Sequence, residues 1–285
     1  MTTENLFLPC EGGDIHVQQD GPHDAPALVL VHGLAASAHW WDAIVPELSG
    51  AHRVIRIDLL GHGGSAAPEG PGYGVPEHGR RVGAVLDHLG LDRVVGIGHS
   101  TGGLVVTALA EERPGLVTAM ALIDTGPRLD AFLSNGSAGR LLLTPGVGRL
   151  LWRLRTDGLI RKALSTGFSR TGYAIPQQIA DDVRAMTLHA MLATSRGAED
   201  YLGQRPVPER LTALGIPLLV VFGEQDRRWR PSSATDYTAV PRARVEMLPG
   251  LGHSPMLEDP RVTAAILRTF LAAPPPNHPR RARNP

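Results

Sequence analysis

The chain has one cysteine, Cys10, and one lysine, Lys162, in 285 residues. A single cysteine excludes an internal disulfide and fits a reducing compartment. Arginine therefore supplies almost all the positive charge, which reflects composition bias more than recognition. Formal net charge is zero, so there is no electrostatic case for a nucleic-acid partner or an acidic membrane. No apolar run approaches the ~20 residues that span a bilayer. The opening Met1-Thr2-Thr3-Glu4-Asn5 lacks the basic region and long apolar core of a signal peptide. The expectation is a soluble, cytoplasmic protein. Familiar ligand motifs are missing as well. The 12 histidines show no H-x-x-x-H or H-E-x-x-H spacing, so neither a zinc site nor any other metal is expected. There is no G-x-x-x-x-G-K-[ST]. Gly96-Ile97-Gly98 fails to complete G-x-G-x-x-G, because Thr101 takes the third glycine's place. No cofactor is expected.

What is present is concentrated around Gly98-His99-Ser100-Thr101-Gly102. The apolar run Arg93–Ile97 precedes it and Gly103–Ala110 follows, so the order is strand, G-x-S-x-G, helix. A serine on such a tight, strained turn stands exposed as a nucleophile. Flanking glycines let the helix pack close to the strand. The helix N-terminus directs free N–H groups at an oxyanion formed beside Ser100.

Two further loops supply the partners that such a serine needs. Leu218–Phe222 reads as a buried strand running into Gly223-Glu224-Gln225-Asp226. Arg244–Leu248 reads as another, followed by Gly250-Leu251-Gly252-His253. His253 would take the Ser100 proton, and Asp226 would fix the imidazole tautomer. Asp226 is preferred as the acid over Glu224 and over Asp124, which ends the strand-like Ala121-Leu122-Ile123. Ala27–Val31 is a continuous apolar run of the kind buried on both faces, and it ends in His32-Gly33-Leu34. The Leu34 and Thr101 amides are the expected oxyanion donors. His32 and His62 are read as loop-shaping residues.

These pieces resemble the α/β-hydrolase fold of esterases, lipases and C–C hydrolases. The resemblance rests on His32-Gly33, Asp58-Leu59-Leu60-Gly61-His62-Gly63-Gly64-Ser65, Gly98–Gly103, Gly223–Asp226 and Gly252-His253. The chain order Ser100, Asp226, His253 is also that of the family. It implies an α/β fold with a mostly parallel eight-stranded sheet, helices on both faces and a helical cap insert. It implies the Ser-His-Asp triad and the oxyanion hole, but no particular substrate. The aspartate nucleophile of related epoxide hydrolases and dehalogenases is excluded by Ser100.

Strands are expected near 5–8, 14–19, 27–31, 52–57, 93–97, 117–123, 217–222 and 243–248. Helices are expected near 40–48, 76–89, 101–113 and 259–272. Residues 1–125 and 215–272 form the expected core. Residues 126–214 are too long for a crossover and carry helical periodicity, with Val147, Leu150, Leu151 and Leu154 on one face and Ile179, Val183 and Met186 on another. They are read as a cap. Leu150, Leu151, Trp152, Met186 and Met191 are its candidates for the cavity wall. Trp40, Trp152, Met191 and Trp229 are the expected substrate-binding residues. Residues 273–285 read as a disordered basic tail.

The expected chemistry is hydrolysis of a small or medium apolar ester or lactone through an acyl-enzyme. The same triad also serves thioesterases, C–C hydrolases and cofactor-free perhydrolase or biosynthetic reactions. A non-catalytic ligand-binding protein is the reading of another class. The partner is a small molecule, and the protein is a monomer or homodimer.

Overall fold

The computed structural model describes residues 3–133, 144 and 146–272. The tail expected at 273–285 lies outside the described residues. Among these, an eight-stranded sheet runs in the order β1-β2-β4-β3-β5-β6-β7-β8. Its strands are β1 (Glu4–Cys10), β2 (Gly13–Asp20), β3 (Ala27–Val31), β4 (Arg53–Ile57), β5 (Val94–His99), β6 (Val117–Ile123), β7 (Leu218–Gly223) and β8 (Ala243–Leu248). The β1–β2 and β2–β4 pairings are antiparallel, and the others are parallel.

β3 shows why the central strands read as unbroken apolar runs. Ala27, Val29 and Val31 join the apolar cluster on one face, while Leu28 and Leu30 join that on the other. Side chains alternate across a strand, so a strand covered on both sides needs apolar residues at every position. Around the sheet lie α1 (Val45–Leu48), α2 (Val75–His88), α3 (Thr101–Glu112), α9 (Pro255–Glu258) and α10 (Pro260–Leu271).

One helix expectation needs correction. In place of one helix over 40–48 there is a 3-10 turn, Ala38–Trp41, and then the short α1. Pro46 lacks an N–H, so a helix can begin just before it but not run through it. For the same reason the C-terminal helix starts at Pro260, with Asp259 capping it through the Val262 N–H. A further 3-10 segment spans Pro231–Ala239, between β7 and β8.

Between β6 and β7 lie α4 (Val147–Arg153), α5 (Asp157–Ser165), α6 (Gln177–Ala185), α7 (Leu188–Gln204) and α8 (Val207–Leu214). α8 packs onto the core: Val207 and Leu211 belong to the main apolar cluster, and Arg210 pairs with Glu111 of α3 at 3.0 Å.

Candidate active site

The loops that follow β3, β5, β6, β7 and β8 converge at the carboxyl end of the sheet, where open α/β sheets carry their ligands. Ser100 sits between β5 and α3 with φ 52° and ψ −120°, a strained conformation for a residue with a side chain. Its N–H bonds the Ile123 carbonyl at 2.9 Å. The turn is possible because its neighbours have no Cβ. One on Gly98 would come within 2.5 Å of Gly103, and one on Gly102 within 2.1 Å of the Val31 carbonyl oxygen. Gly33, which precedes Leu34, approaches so closely that its Cβ would stand 3.1 Å from that of Ser100.

His253 Nδ1 lies 2.8 Å from Asp226 Oδ2. A carboxylate can only accept, so Nδ1 carries the proton and Nε2 is left as the basic nitrogen. Asp226 Oδ1 accepts the Arg228 and Trp229 N–H groups at 2.6 and 3.2 Å. The His253 backbone is fixed from two sides. Its N–H bonds the Gly167 carbonyl at 3.0 Å, and its carbonyl accepts His99 Nε2–H at 2.7 Å. Burial, then the adjacent His253, pushes His99 well below the ordinary histidine value, so His99 is a neutral donor.

Asp124, the alternative acid, does not make the contact with His253 Nδ1. It is fully buried at the end of β6, and its Oδ1 accepts the Gly223 N–H at 2.9 Å. Glu224 is exposed.

Ser100, Leu34, Thr101 and His253 border one cavity of about 270 Å³, and so do Trp40, Trp152, Met191 and Trp229. A depression lined by Asp87, Leu91 and Arg113 bears none of these groups. Three of the expected wall residues are elsewhere. Leu150 is exposed, and neither Leu151 nor Met186 reaches the cavity. The stripe Val147, Leu150, Leu154 faces solvent; amphipathic spacing fixes which residues share a face, but not which face is covered. Met186 is buried in the core, and its carbonyl accepts the Trp152 indole N–H at 3.1 Å. Ile160, Leu164, Val183 and Leu202 line the wall in their place. Arg228 and Glu199 also border it, and neither stood out in the sequence. Arg228 Nη2 donates to the Thr166 hydroxyl at 2.6 Å, and burial lowers its otherwise very high pKa.

The loops bordering the cavity hang on buried polar groups. His32 has both ring nitrogens engaged, Nδ1 with the Gly33 carbonyl at 2.8 Å and Nε2 with the Leu59 N–H at 3.0 Å. Asp58 accepts His16 Nδ1–H at 2.7 Å, Gly64 N–H at 2.8 Å and Ala38 N–H at 2.6 Å. Burial opposes the Asp58 charge, but these donors hold its carboxyl below the usual range. One carboxylate thus joins the turn after Leu34 to the loop after β4.

The chain belongs to the alpha/beta hydrolase family, whose model matches residues 28–266. It is similar to a proposed 2-succinyl-6-hydroxy-2,4-cyclohexadiene-1-carboxylate synthase of Bacillus subtilis (strain 168), at 27% identity over 96% of this chain and 100% of that one. Haloalkane dehalogenase 2 of Mycobacterium tuberculosis (strain H37Rv) is 28% identical over 94% of this chain and 95% of its own. Among solved structures, a hydrolase from Pseudomonas aeruginosa PA01 superposes with a TM-score of 0.77. It is 25% identical, covering 95% of this chain and 99% of that one. Among the described residues, no helix is long and apolar enough to cross a membrane.

Proposed function

We propose that the chain is a serine hydrolase that cleaves a small or medium apolar carboxylic ester or lactone. One observation carries the reading: the 2.8 Å contact of His253 Nδ1 with Asp226 Oδ2, beside a strained Ser100 on the wall of the same largely apolar cavity. In this mechanism His253 Nε2 takes the Ser100 proton as Oγ attacks the carbonyl. The N–H groups of Leu34 and Thr101, helped by the α3 N-terminus, stabilise the tetrahedral oxyanion. His253 then protonates the leaving alcohol. Water, activated by the same imidazole, hydrolyses the acyl-enzyme and regenerates Ser100.

The volume of about 270 Å³ is small for a ligand pocket, which favours a compact acyl group. Trp40, Trp152, Met191 and Trp229 form its apolar contacts. The helices of residues 147–204 act as a cap that excludes water from the acyl-enzyme. Haloalkane dehalogenation is not carried over from the relative, because a serine stands at the nucleophile position.

A fluorophosphonate probe, followed by a panel of p-nitrophenyl esters, lactones and acyl thioesters, tests the proposal. Labelling at Ser100 with turnover of short esters or lactones is expected. A protein that neither labels nor hydrolyses any of the panel would overturn it.

A further inference from the structure

Asp124 is a buried carboxyl that the mechanism above leaves without a task. It has no exposed surface and sits in the left-handed region at φ 45°. One oxygen of Asp124, one of Asp226 and a ring nitrogen of His253 lie within 4.8 Å of one another. Two carboxylates this close and this dry cannot both be charged. The donors decide which keeps the charge. Asp226 accepts three hydrogen bonds, from the N–H groups of Arg228 and Trp229 and from His253 Nδ1. Asp124 accepts one, from Gly223, on Oδ1. Its Oδ2 is buried and, among the described residues, finds no donor. Such an oxygen is costly as a carboxylate and well satisfied as a hydroxyl that donates.

We propose that Asp124 is a positioning residue: a neutral carboxylic acid whose Oδ2–H donates a hydrogen bond to the Asp226 carboxylate.

The surrounding charges agree. The Arg228 guanidinium interacts with Asp226, and Glu258 adds a negative charge felt by Asp124. His253 stands on the Asp226 side, and His99 beyond it is neutral. Burial first, then the Asp226 charge and the hydrogen bond to it, raise Asp124 well above the usual carboxylate range. The pair then carries one negative charge and one proton. That proton adds a fourth hydrogen bond to the three that Asp226 already accepts, which holds the carboxylate in line with His253 Nδ1. The role rests on Asp226 and His253 acting as acid and base in the proposed hydrolysis.

The test compares Asp124→Asn, Asp124→Ala and Asp226→Asn with the full-length wild type. Asparagine tolerates the left-handed backbone, can accept from Gly223 and can donate through its amide to Asp226. Infrared difference spectroscopy on the unliganded protein should show a protonated carboxyl C=O stretch near neutral pH, absent in Asp124→Asn. That measurement needs no substrate, so it decides the proton's place even if no ester is turned over. With a p-nitrophenyl ester, Asp124→Asn should keep kcat and the acid limb of its pH profile. Asp124→Ala should lose roughly 10–100-fold in kcat with little change in KM, as when a hydrogen bond to a charged group is removed, and its acid limb should move. Circular dichroism confirms folding of each variant. No protonated band, an Asp124→Asn loss as large as that of Asp226→Asn, or a fully active Asp124→Ala would each overturn the proposal.

Discussion

The Glu258 carboxylate accepts the Ser169 hydroxyl at 2.5 Å, and through this pair the loop that carries His253 is tied to the helical insert. The same group reaches both sides. Oε1 accepts the Gly252 N–H at 2.9 Å, and Oε2 also accepts the Ser169 N–H at 2.8 Å. Glu258 itself is buried. Its removal leaves the buried Gly252 N–H without a partner, at ~1–3 kcal/mol, and takes an acceptor from Ser169, whose hydroxyl keeps the Gly250 carbonyl at 2.7 Å.

Glu258→Ala should therefore lower the melting temperature by about 5–10 °C, given ~2–4 °C per kcal/mol for a chain of this size. Because Gly252 adjoins His253, hydrogen exchange in 250–254 should quicken before global unfolding. Scanning calorimetry and exchange mass spectrometry check both. An unchanged melting temperature would show that the insert is held by other contacts.

Ser100→Ala removes one oxygen from a turn that is otherwise held by the Gly98 and Gly102 packing. The melting temperature should stay close to wild type. Turnover of an ester should fall by ~10⁴-fold or more, as for members of a triad that act as a unit. Rate assays on purified variant measure it, and near-wild-type hydrolysis would remove Ser100 from the mechanism.

Some of this was legible in the sequence and some was not. Strand β3 announced its burial on both faces by an unbroken apolar run. The triad candidates stand out in the sequence because each lies just after a strand-like run, Ser100 at the start of a helix, Asp226 in an acid-bearing loop and His253 in a glycine-rich one. Val147, Leu150 and Leu154 misled, because periodicity says nothing about which side meets solvent. Glu258 and Asp58 look like any surface acid in sequence. Their tasks come from contacts with residues up to 89 positions away. Asp124 was visible as an alternative acid, but the donors that leave it holding a proton appear only when β6 and β7 lie side by side.

Acid should unfold the protein through its buried imidazoles. Burial pushes His32, His62, His78 and His99 down, His62 to about 3. The sign follows directly. The unfolded chain binds these protons near pH 6.5 and the folded chain resists them. Stability is complete above about 6.5 and drains away as pH falls toward the folded values, at ~1.4 kcal/mol per pH unit for each group. Melting temperature measured from neutral pH down to about 4 should fall steeply. His78→Leu, which replaces a ring with neither nitrogen partnered among the described residues, should make the fall shallower. A flat profile would contradict this account.

A second pH effect has the opposite sign and is local. His39 Nδ1 meets Asp182 Oδ2 at 2.9 Å, and Ser37 Oγ donates to the same oxygen at 2.5 Å. The contact joins the turn after Leu34 to α6. The hydrogen bond to Asp182 outweighs burial and raises His39. Its contribution is full below about 6.5 and is lost as pH rises through the higher folded value. The pair is partly solvated, so it is worth no more than ~1 kcal/mol. Hydrogen exchange in 177–185, corrected for the intrinsic rate, should quicken up to about fivefold above neutrality. Asp182→Asn should abolish that pH dependence. Equal protection at pH 6 and 8 would argue that other contacts hold α6.

Trp152 and Met191 both border the cavity, but they are held differently, and their truncation should separate selectivity from stability. Met191 is partly buried and packs through its side chain alone. Met191→Ala enlarges the cavity at small cost to the fold. It should shift preference toward longer acyl chains, by ~10–200-fold at most, since a methylene contact is worth only ~1–3 kcal/mol. Trp152 carries more. Its indole N–H bonds the Met186 carbonyl at 3.1 Å, and the Arg155 guanidinium lies 4.2 Å over its ring. Trp152→Ala removes the wall and these two contacts together, and it leaves a large void in a buried place. It should shift the chain-length profile in the same direction and also lower the melting temperature by several degrees. Trp152→Phe should restore most of the selectivity but not the hydrogen bond to Met186. The measurement is kcat/KM across p-nitrophenyl esters of rising chain length, paired with calorimetry on each variant. If Met191→Ala and Trp152→Ala both leave the profile flat, these side chains do not set acyl length, and the wall formed by Ile160, Leu164, Val183 and Leu202 becomes the place to look.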